Sequence, residues 1–118
     1  MAEWLSCVVC EHDGDVAGFA KAAPYEDRSH YYDEVGEATV YVARHDRRQS
    51  VGGLLLEALV GAARSRGLHK LTAKVFADNE ASLRLFERAG FRTVGTHLRH
   101  GQLDGEWLDV VVLERSLD

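Results

Sequence analysis

The sequence opens with two apolar runs, at residues 4–11 and 16–23. A short polar turn separates them, and its Asp-Gly pair is a strong signal for a β-hairpin. The pattern therefore predicts two antiparallel strands. Pro24 ends the second strand, and the polar, aromatic residues 25–35 are typical of a loop.

The next apolar stretch, residues 37–42, predicts a third strand that leads through a short basic turn into a helix. The apolar residues of that helix recur at helical spacing and place one side toward the core. They are Val51, Leu55, Ala58, Leu59 and Ala62. Gly67 is expected to close the helix, because glycine adopts the left-handed conformation of a C-terminal cap at little cost.

The second half of the chain continues with a strand, a helix and two further strands. Residues 71–76 alternate between apolar and polar, as a half-exposed strand does, and Asn79 then begins a helix that ends near Ala89. Strands at residues 91–98 and 107–113 are joined by a bend that contains Asp-Gly. The count of six strands and two helices predicts a mixed α/β domain.

The composition is that of one globular domain over residues 1–118. Hydrophobic residues make up 46% of the chain and charged residues 28%. The net charge of −5 argues against a nucleic-acid partner. No apolar run approaches the roughly 20 residues that cross a bilayer, and the N-terminus lacks the pattern of a signal peptide. We therefore expect no membrane partner and a cytoplasmic location.

Two cysteines, Cys7 and Cys10, lie in the first predicted strand. The two-residue period of a strand sends them to opposite faces, so we interpret them as buried thiols and not as a redox or metal pair. The histidines are scattered without the spacing of metal ligands. No metal site is expected.

The basic turn after the third strand carries the strongest chemical signal. Residues 47–53, with the sequence Arg-Arg-Gln-Ser-Val-Gly-Gly, join the end of a strand to the start of a helix. The bare N–H groups and the dipole of a helix N-terminus attract anions, and glycine lets a bulky anion approach the backbone. The turn therefore predicts a ligand with a pyrophosphate group.

This succession of strand, basic turn, helix, strand and Asn-capped helix resembles the GNAT superfamily of acetyl-CoA-dependent N-acetyltransferases, across residues 4–115. The sequence is similar to the phosphinothricin acetyltransferase-like branch, whose members acetylate small amino acids and related compounds. Four strings carry that similarity: Ala-Pro-Tyr at 23–25, Glu-Ala-Thr-Val-Tyr-Val at 37–42, Asn-Glu-Ala-Ser-Leu at 79–83 and Gly-Glu-Trp-Leu-Asp-Val at 105–110.

The resemblance implies a truncated GNAT fold, with about six mostly antiparallel strands and two main helices. Family members usually begin with a strand and two helices that wall the acceptor pocket, whereas this sequence starts with the hairpin. We therefore expect the wall to come from residues 25–35 or from the second subunit of a homodimer.

The resemblance also assigns site residues. It makes Glu37 the general base for the transfer of an acetyl group from acetyl-CoA to the primary amine of a small molecule, by direct attack. By spacing alone, Glu37 would more often be an exposed acid at a strand end. The expected acetyl-CoA contacts are Val40, Tyr41, Val42, Arg47, Arg48, Gln49, Ser50, Val51, Gly52, Gly53, Asn79 and Ser82.

The strand after Glu37 is expected to splay from its neighbour and admit the pantetheine arm, with the N–H of Val42 on the thioester oxygen. Asn79 has two compatible roles, as a helix N-cap and as a cofactor contact. Tyr31 and Tyr32 are candidate contacts to the acceptor, either as a lid over the pocket or as simple packing.

Two positions depart from the family pattern. Ser50 replaces the first glycine of the turn, which keeps the backbone N–H but adds a side chain. Phe86 stands where related proteins carry a Tyr or His that can protonate the leaving thiolate; solvent, a Tyr of residues 25–32 or the low basicity of the thiolate would then cover that step. The alternative functions are a non-catalytic acyl-CoA-binding module and, less favoured, a purely structural interaction domain.

Overall fold

Six strands and two helices make up the part of the chain that a computed structural model describes, which is residues 6–12, 14–25, 30–43 and 51–118. They are β1 (Ser6–His12), β2 (Asp15–Pro24), β3 (Val35–Val42), α1 (Val51–Arg66), β4 (Lys70–Phe76), α2 (Glu80–Arg88), β5 (Arg92–Leu103) and β6 (Glu106–Ser116). The strands form one sheet in the order β1-β2-β3-β4-β6-β5, antiparallel except for the parallel pair β3 and β4. This confirms the predicted fold.

Helix α1 covers one face of the sheet, where it packs on β1, β2 and β3. A Cβ at Gly18 of β2 would lie 2.9 Å from a methyl group of Leu55, so glycine lets the helix sit this close to the strand. Burial of each large aliphatic side chain in this layer contributes about 2 kcal/mol. The largest fully buried ones are Leu56, Leu59, Leu71 and Leu113.

The core-facing side of α1 is rotated from the predicted one. Val51, Leu55 and Leu59 are buried as expected, but Ala58 is exposed. Ala58 lies two residues beyond the fully buried Leu56, which is about 200° around the helix, so its methyl group points away from the sheet. The other buried residues of the helix are Leu56, Val60 and Ala63.

The opposite face of the sheet, which we call the open face, carries no helix among the described residues. Gly36 and Ala38 of β3 are buried toward α1. The two-residue period of a strand therefore turns Glu37, Thr39 and Tyr41 to the open face. This face consequently presents polar and aromatic side chains beside each other.

The edge strand β1 shows the effect of this arrangement on the cysteines. Cys7 is exposed, whereas Cys10 packs half-buried against the core. The prediction of opposite faces agrees with this difference, but the prediction of two buried thiols is wrong for Cys7. No described element covers the open face at this edge of the sheet, so an outward side chain of β1 stays in contact with solvent.

Strand β5 runs beyond the predicted residues 91–98. Its register against β6 shifts between His97 and Gly101. Within that shift Arg99 has a φ of 47°, and its N–H donates to the Asp109 carboxylate at 2.8 Å. Pairing then resumes as far as the predicted Asp-Gly turn. This irregularity interrupts the alternation of apolar and polar residues, so the sequence pattern did not predict the second half of the strand.

An ion cluster links β4, β5 and β6. Glu114 of β6 accepts hydrogen bonds from Lys70 of β4, at 3.2 Å, and from Arg92 of β5. The Glu114 side chain is only 18% exposed. The hydrogen bond from Lys70 is the main cause that holds the pKa of this carboxyl below its usual value, with a further contribution from Arg92 and against the effect of burial.

Glu114→Gln is expected to lower the free energy of unfolding at neutral pH by about 1 kcal/mol, because the variant loses these ion pairs. The carboxyl has a lowered pKa in the folded state, so its contribution is complete above the unfolded pKa, about 4.3 for glutamate, and is lost as the pH falls through the folded value. Urea denaturation of both proteins between pH 7 and pH 3 measures this trend.

Glu106→Gln is the matched control, since Glu106 is an exposed residue of the same strand. It should change stability little at any of these pH values. A deficit of Glu114→Gln that stays constant down to pH 3 would contradict the assigned role of the Glu114 carboxylate.

Candidate active site

A groove of about 1150 Å³ lies between the end of β3, the start of α1 and one side of α2. Val51 does not line this groove, because its side chain is buried in the core. The predicted acetyl-CoA contacts that do line it are Val40, Tyr41, Val42, Gly52, Gly53, Asn79 and Ser82. Outside the described residues lie Arg47, Arg48, Gln49 and Ser50.

Strands β3 and β4 separate beside this groove. They pair over three positions only, from Val35 opposite Lys70 to Glu37 opposite Thr72. Beyond that point β3 continues to Val42 alongside β2, and β4 continues alongside β6. The sheet therefore has the expected opening between two neighbouring strands, which we call the split.

The backbone of β3 presents alternate N–H and C=O groups to the split. Val35 O accepts a hydrogen bond from the β2 side at 3.3 Å, and Ala43 N–H donates to the β2 side at 2.7 Å. The odd-numbered residues of β3 thus direct their backbone groups to β2, and the even-numbered Val40 and Val42 direct theirs toward β4. Because β4 has diverged there, these groups face the split.

The start of α1 forms the floor of the groove. The helix begins at Val51, with no acidic residue in its first turn. A Cβ at Gly52 would lie 3.1 Å from Leu85 and 3.5 Å from Val42, so glycine lets β3, α1 and α2 converge. A Cβ at Gly53 would meet nothing within 4 Å. The N–H groups and dipole of this helix end favour an anion in the groove.

Helix α2 forms the other wall. Asn79 caps it as predicted, since its side-chain oxygen accepts a backbone N–H of the first turn at 3.2 Å; its cofactor contact stays a prediction. Arg84 and Arg88 line the groove one helical turn apart, and Arg115 from β6 lies near the end of α2. Three arginines against one acid, Glu57, make the described lining cationic.

Glu37 lies on the open face at the last position where β3 pairs with β4. Its side chain is 31% exposed, and its Oε1 atom is 3.3 Å from the Nζ atom of Lys74. It does not line the groove, which is on the helix side of the sheet. The split is the opening that connects the two faces next to this carboxylate.

Tyr31 and Tyr32 lie in the turn before β3 and do not line the groove. Their ring centroids are 6.4 Å apart, and the ring of Tyr32 also packs edge-on against Tyr25 at 5.4 Å. Both side chains are exposed. Their packing on each other is therefore observed, and a contact to the acceptor stays a prediction.

Phe86 belongs to the core. It is 5% exposed, and its ring meets Phe91 edge-on with centroids 5.0 Å apart. A side chain at this position thus faces away from the groove. Among the described residues that line the groove, Ser82 carries a hydroxyl group, whereas the ring of Tyr41 lies on the open face, where it stacks on Phe19.

Sequence reasoning missed the basic residues Lys74, Arg84 and Arg88. The sequence pattern could have indicated the two arginines. They are four residues apart in the helix that Asn79 caps, and residues at this spacing lie on one face of a helix. Lys74 was not, since its contact with Glu37 depends on the register of a parallel strand pair that no local pattern specifies.

A sequence profile of the acetyltransferase (GNAT) family matches residues 1–91. The chain belongs to this family. The order of its strands around the parallel pair and the presence of the split agree with this assignment.

Several relatives resemble this GNAT chain over most of its length. The phosphinothricin N-acetyltransferase of Streptomyces coelicolor is 39% identical over 103 residues, which are 87% of this chain and 60% of that protein. The L-methionine sulfoximine/L-methionine sulfone acetyltransferase of Pseudomonas paraeruginosa is 34% identical over 111 residues, 94% of this chain and 64% of that protein. The chain thus spans about three-fifths of the length of these curated relatives.

A solved GNAT structure gives the same result in three dimensions. The phosphinothricin acetyltransferase of Sinorhizobium meliloti, in complex with acetyl-CoA, superposes with a TM-score of 0.86 at 28% identity. The match covers 93% of this chain and 60% of that one.

The described GNAT residues fit acetyl-CoA. The groove exceeds the upper end of ordinary ligand pockets, about 1,000 Å³, and so has room for a long ligand. The first turn of α1 suits a pyrophosphate, and the backbone groups of Val40 and Val42 suit the amides of an extended arm.

Among the described residues of this GNAT chain, neither helix has the length and the apolar character of a membrane-spanning segment. Within the same residues, no three His, Cys, Asp or Glu side chains form a group that could hold a metal ion.

Gly53→Ala is expected to raise the free energy of unfolding by up to about 1 kcal/mol, because alanine favours a helix and nothing lies within 4 Å of the added methyl group. Gly52→Ala is the matched change one residue earlier, and its gain should be cancelled because Leu85 must shift. Chemical denaturation of both variants measures the difference. Equal stabilisation would contradict the crowding at Gly52.

Proposed function

We propose that this GNAT protein transfers the acetyl group of acetyl-CoA to the primary amine of a small molecule, with Glu37 as the general base. The observation that carries the proposal is the split, which begins at Glu37 and opens beside a groove with the properties of an acyl-CoA site. An acyl donor held on the helix side can meet an amine on the open face only through such an opening.

The chain's own residues supply three functions in this proposal. The first turn of α1 and the arginines of α2 attract the phosphates. Backbone groups of β3 hold the extended arm, and the N–H of Val42 polarises the thioester oxygen. Glu37 takes a proton from the ammonium group of the acceptor, so that a neutral amine attacks the carbonyl carbon directly.

The leaving thiolate needs little help in this scheme. Thiols have a pKa of about 8.5, so a thiolate is a stable leaving group near neutral pH. Solvent, or the hydroxyl group of Ser82 in the groove, can return its proton. The buried Phe86 takes no part in the step.

The proposed acceptor is an amino acid or a related compound. The relatives from Streptomyces and Pseudomonas are named for phosphinothricin and for methionine derivatives, which carry an α-amino group. The open face beside Glu37 also bears a cation, Lys74, so a zwitterion would find partners of both signs there. A contact from Tyr31 or Tyr32 and a cytoplasmic location stay predictions from the sequence.

A non-catalytic acyl-CoA-binding module is the second candidate function. It is favoured by one observation, the burial of Phe86 in the core at a position where the resemblance to GNAT proteins implies a proton-donating side chain. The two functions differ in their products. A binding module would be stabilised against heat by CoA but would release no thiol from acetyl-CoA with any amine.

Glu37→Gln is expected to lower the turnover of amine acetylation by about 100-fold at neutral pH, the size of a general-base contribution. Binding of acetyl-CoA should be nearly unchanged, because Glu37 lies on the other face of the sheet from the groove. Thiol release with a panel of amino acids measures turnover, and calorimetry measures binding.

Glu34→Gln is the matched control, since Glu34 is an exposed acid three residues earlier. It should leave turnover unchanged. Equal turnover of Glu37→Gln and the unmodified protein would remove Glu37 from the mechanism.

A homodimer is part of the same proposal. The β5–β6 hairpin forms an edge of the sheet, and it exposes large apolar side chains that a second copy would cover. They are Val94, Leu98, Leu103 and Trp107. Leu98 is the most exposed of them, at 76%.

Leu98→Glu is therefore expected to convert the dimer into a monomer, because the interface would have to bury a charge. Sedimentation velocity at micromolar concentration measures this. Val9→Glu, at an exposed position on the opposite edge strand, is the matched control and should remain dimeric. A monomeric unmodified protein, or a Leu98→Glu dimer, would refute this interface.

A further inference from the structure

Lysine occurs three times in the sequence, as Lys21, Lys70 and Lys74. Lys74 lies on β4 two residues after Thr72, the last residue that pairs with β3. It shares the open face with Thr72 by the alternation of the strand. Its side chain therefore stands at the rim of the split, where the acetyl group would be delivered.

The ε-amine of Lys74 is already next to the proposed base. Its Nζ atom lies 3.3 Å from Glu37 Oε1. An acceptor that gives its ammonium proton to Glu37 has to occupy a position of this kind. The Lys74 side chain is 59% exposed and has a flexible stem, so the amine can move toward the split without unpacking the core.

We propose that Lys74 is itself an acetyl acceptor, so that the protein acetylates its own ε-amine from acetyl-CoA. The proposal rests on the acetyltransferase function proposed above. In this step Glu37 takes one proton from the Lys74 ammonium group. The neutral nitrogen then forms a bond to the carbonyl carbon, and the carbon–sulfur bond breaks. The thiolate leaves and receives, directly or through solvent, the second proton that the nitrogen loses, which gives CoA.

The products balance as an acetylated lysine, CoA and one released proton. The modification removes the positive charge of Lys74 and with it the ion pair to Glu37. The carboxylate is then left beside the split without this partner. Self-acetylation would thus change the charge of the surface that an amine acceptor has to approach.

Lys70 provides an internal control. It lies on the same strand and the same face as Lys74, and its Nζ is 3.2 Å from a carboxylate oxygen of Glu114. Strand β4 is still paired with β3 at Lys70, so no split opens beside it. Each of the two lysines thus forms an ion pair with a glutamate, but only Lys74 lies beside the split.

Their exposure also differs, since the Lys70 side chain is 31% exposed and that of Lys74 is 59% exposed. Different exposure gives the two lysines different intrinsic reactivity toward an acetyl donor. Labelling by a small chemical donor, acetyl phosphate, measures this difference. Acetyl phosphate needs no groove, so it should label the lysines according to their exposure alone.

The test incubates the full chain with acetyl-CoA and follows acetylation by intact-mass and peptide mass spectrometry. The expected result is the gain of one acetyl group, at Lys74, with a preference over Lys70 that acetyl phosphate does not reproduce. Glu37→Gln should slow the labelling of Lys74 about 100-fold, and an excess of CoA should suppress it. Lys74→Arg should abolish the mass gain, whereas Lys70→Arg should preserve it.

Thiol release with the amine panel, measured in the same samples, separates this proposal from the function on which it rests. Acetylation of free amines without acetylation of Lys74 would overturn the self-acetylation alone. Loss of both reactions would overturn both proposals. Labelling of Lys74 that is insensitive to Glu37→Gln, or that matches the acetyl phosphate pattern, would show ordinary chemical acetylation and overturn the proposal as well.

Discussion

The parallel pairing of β3 and β4 stops after three positions, and the candidate site depends on this interruption. A pair bonded along its whole length would seal the sheet and separate its two faces. Each strand instead continues with its other neighbour, β3 with β2 and β4 with β6, so that half of its backbone groups stay bonded. The backbone groups of β3 that point toward β4 beyond Glu37 face the split, where an extended ligand can approach them.

The rest of the fold maintains this separation from both ends. At the paired end, the cluster of Lys70, Glu114 and Arg92 fastens β4 to β6 and β5. At the open end, the close approach of Gly52 to Leu85 and Val42 lets two helices start beside the diverging strands. Each helix directs its N-terminal N–H groups toward the same region. The split and the N-terminal ends of both helices thus adjoin the same groove.

The sequence was sufficient to predict most helices and strands, but it was less informative about the contacts between them. Alternation and helical spacing predict the strands and helices, and the Asp-Gly turns and Gly67, with its φ of 91°, follow from local chemistry. The prediction that Ala58 faces the core is wrong, because small apolar residues define the buried face of a helix only weakly. The Glu37 and Lys74 contact depends on the register of strands brought together from distant parts of the chain.

Phe86 illustrates how the two halves of the proposed acetyl transfer would place different demands on the protein. A Tyr or His in its buried position against Phe91 would need a polar partner in the core, whereas two aromatic rings pack edge-on favourably. The thiolate can leave without such a donor, given a thiol pKa of about 8.5. The amine of the proposed reaction does need a base, because an amine with the lysine pKa of about 10.4 is neutral in only about one molecule in 2,500 at pH 7. In the proposed reaction the chemical demand therefore falls on the open face, where Glu37 lies beside the split, and the core position of Phe86 on α2 needs no polar group.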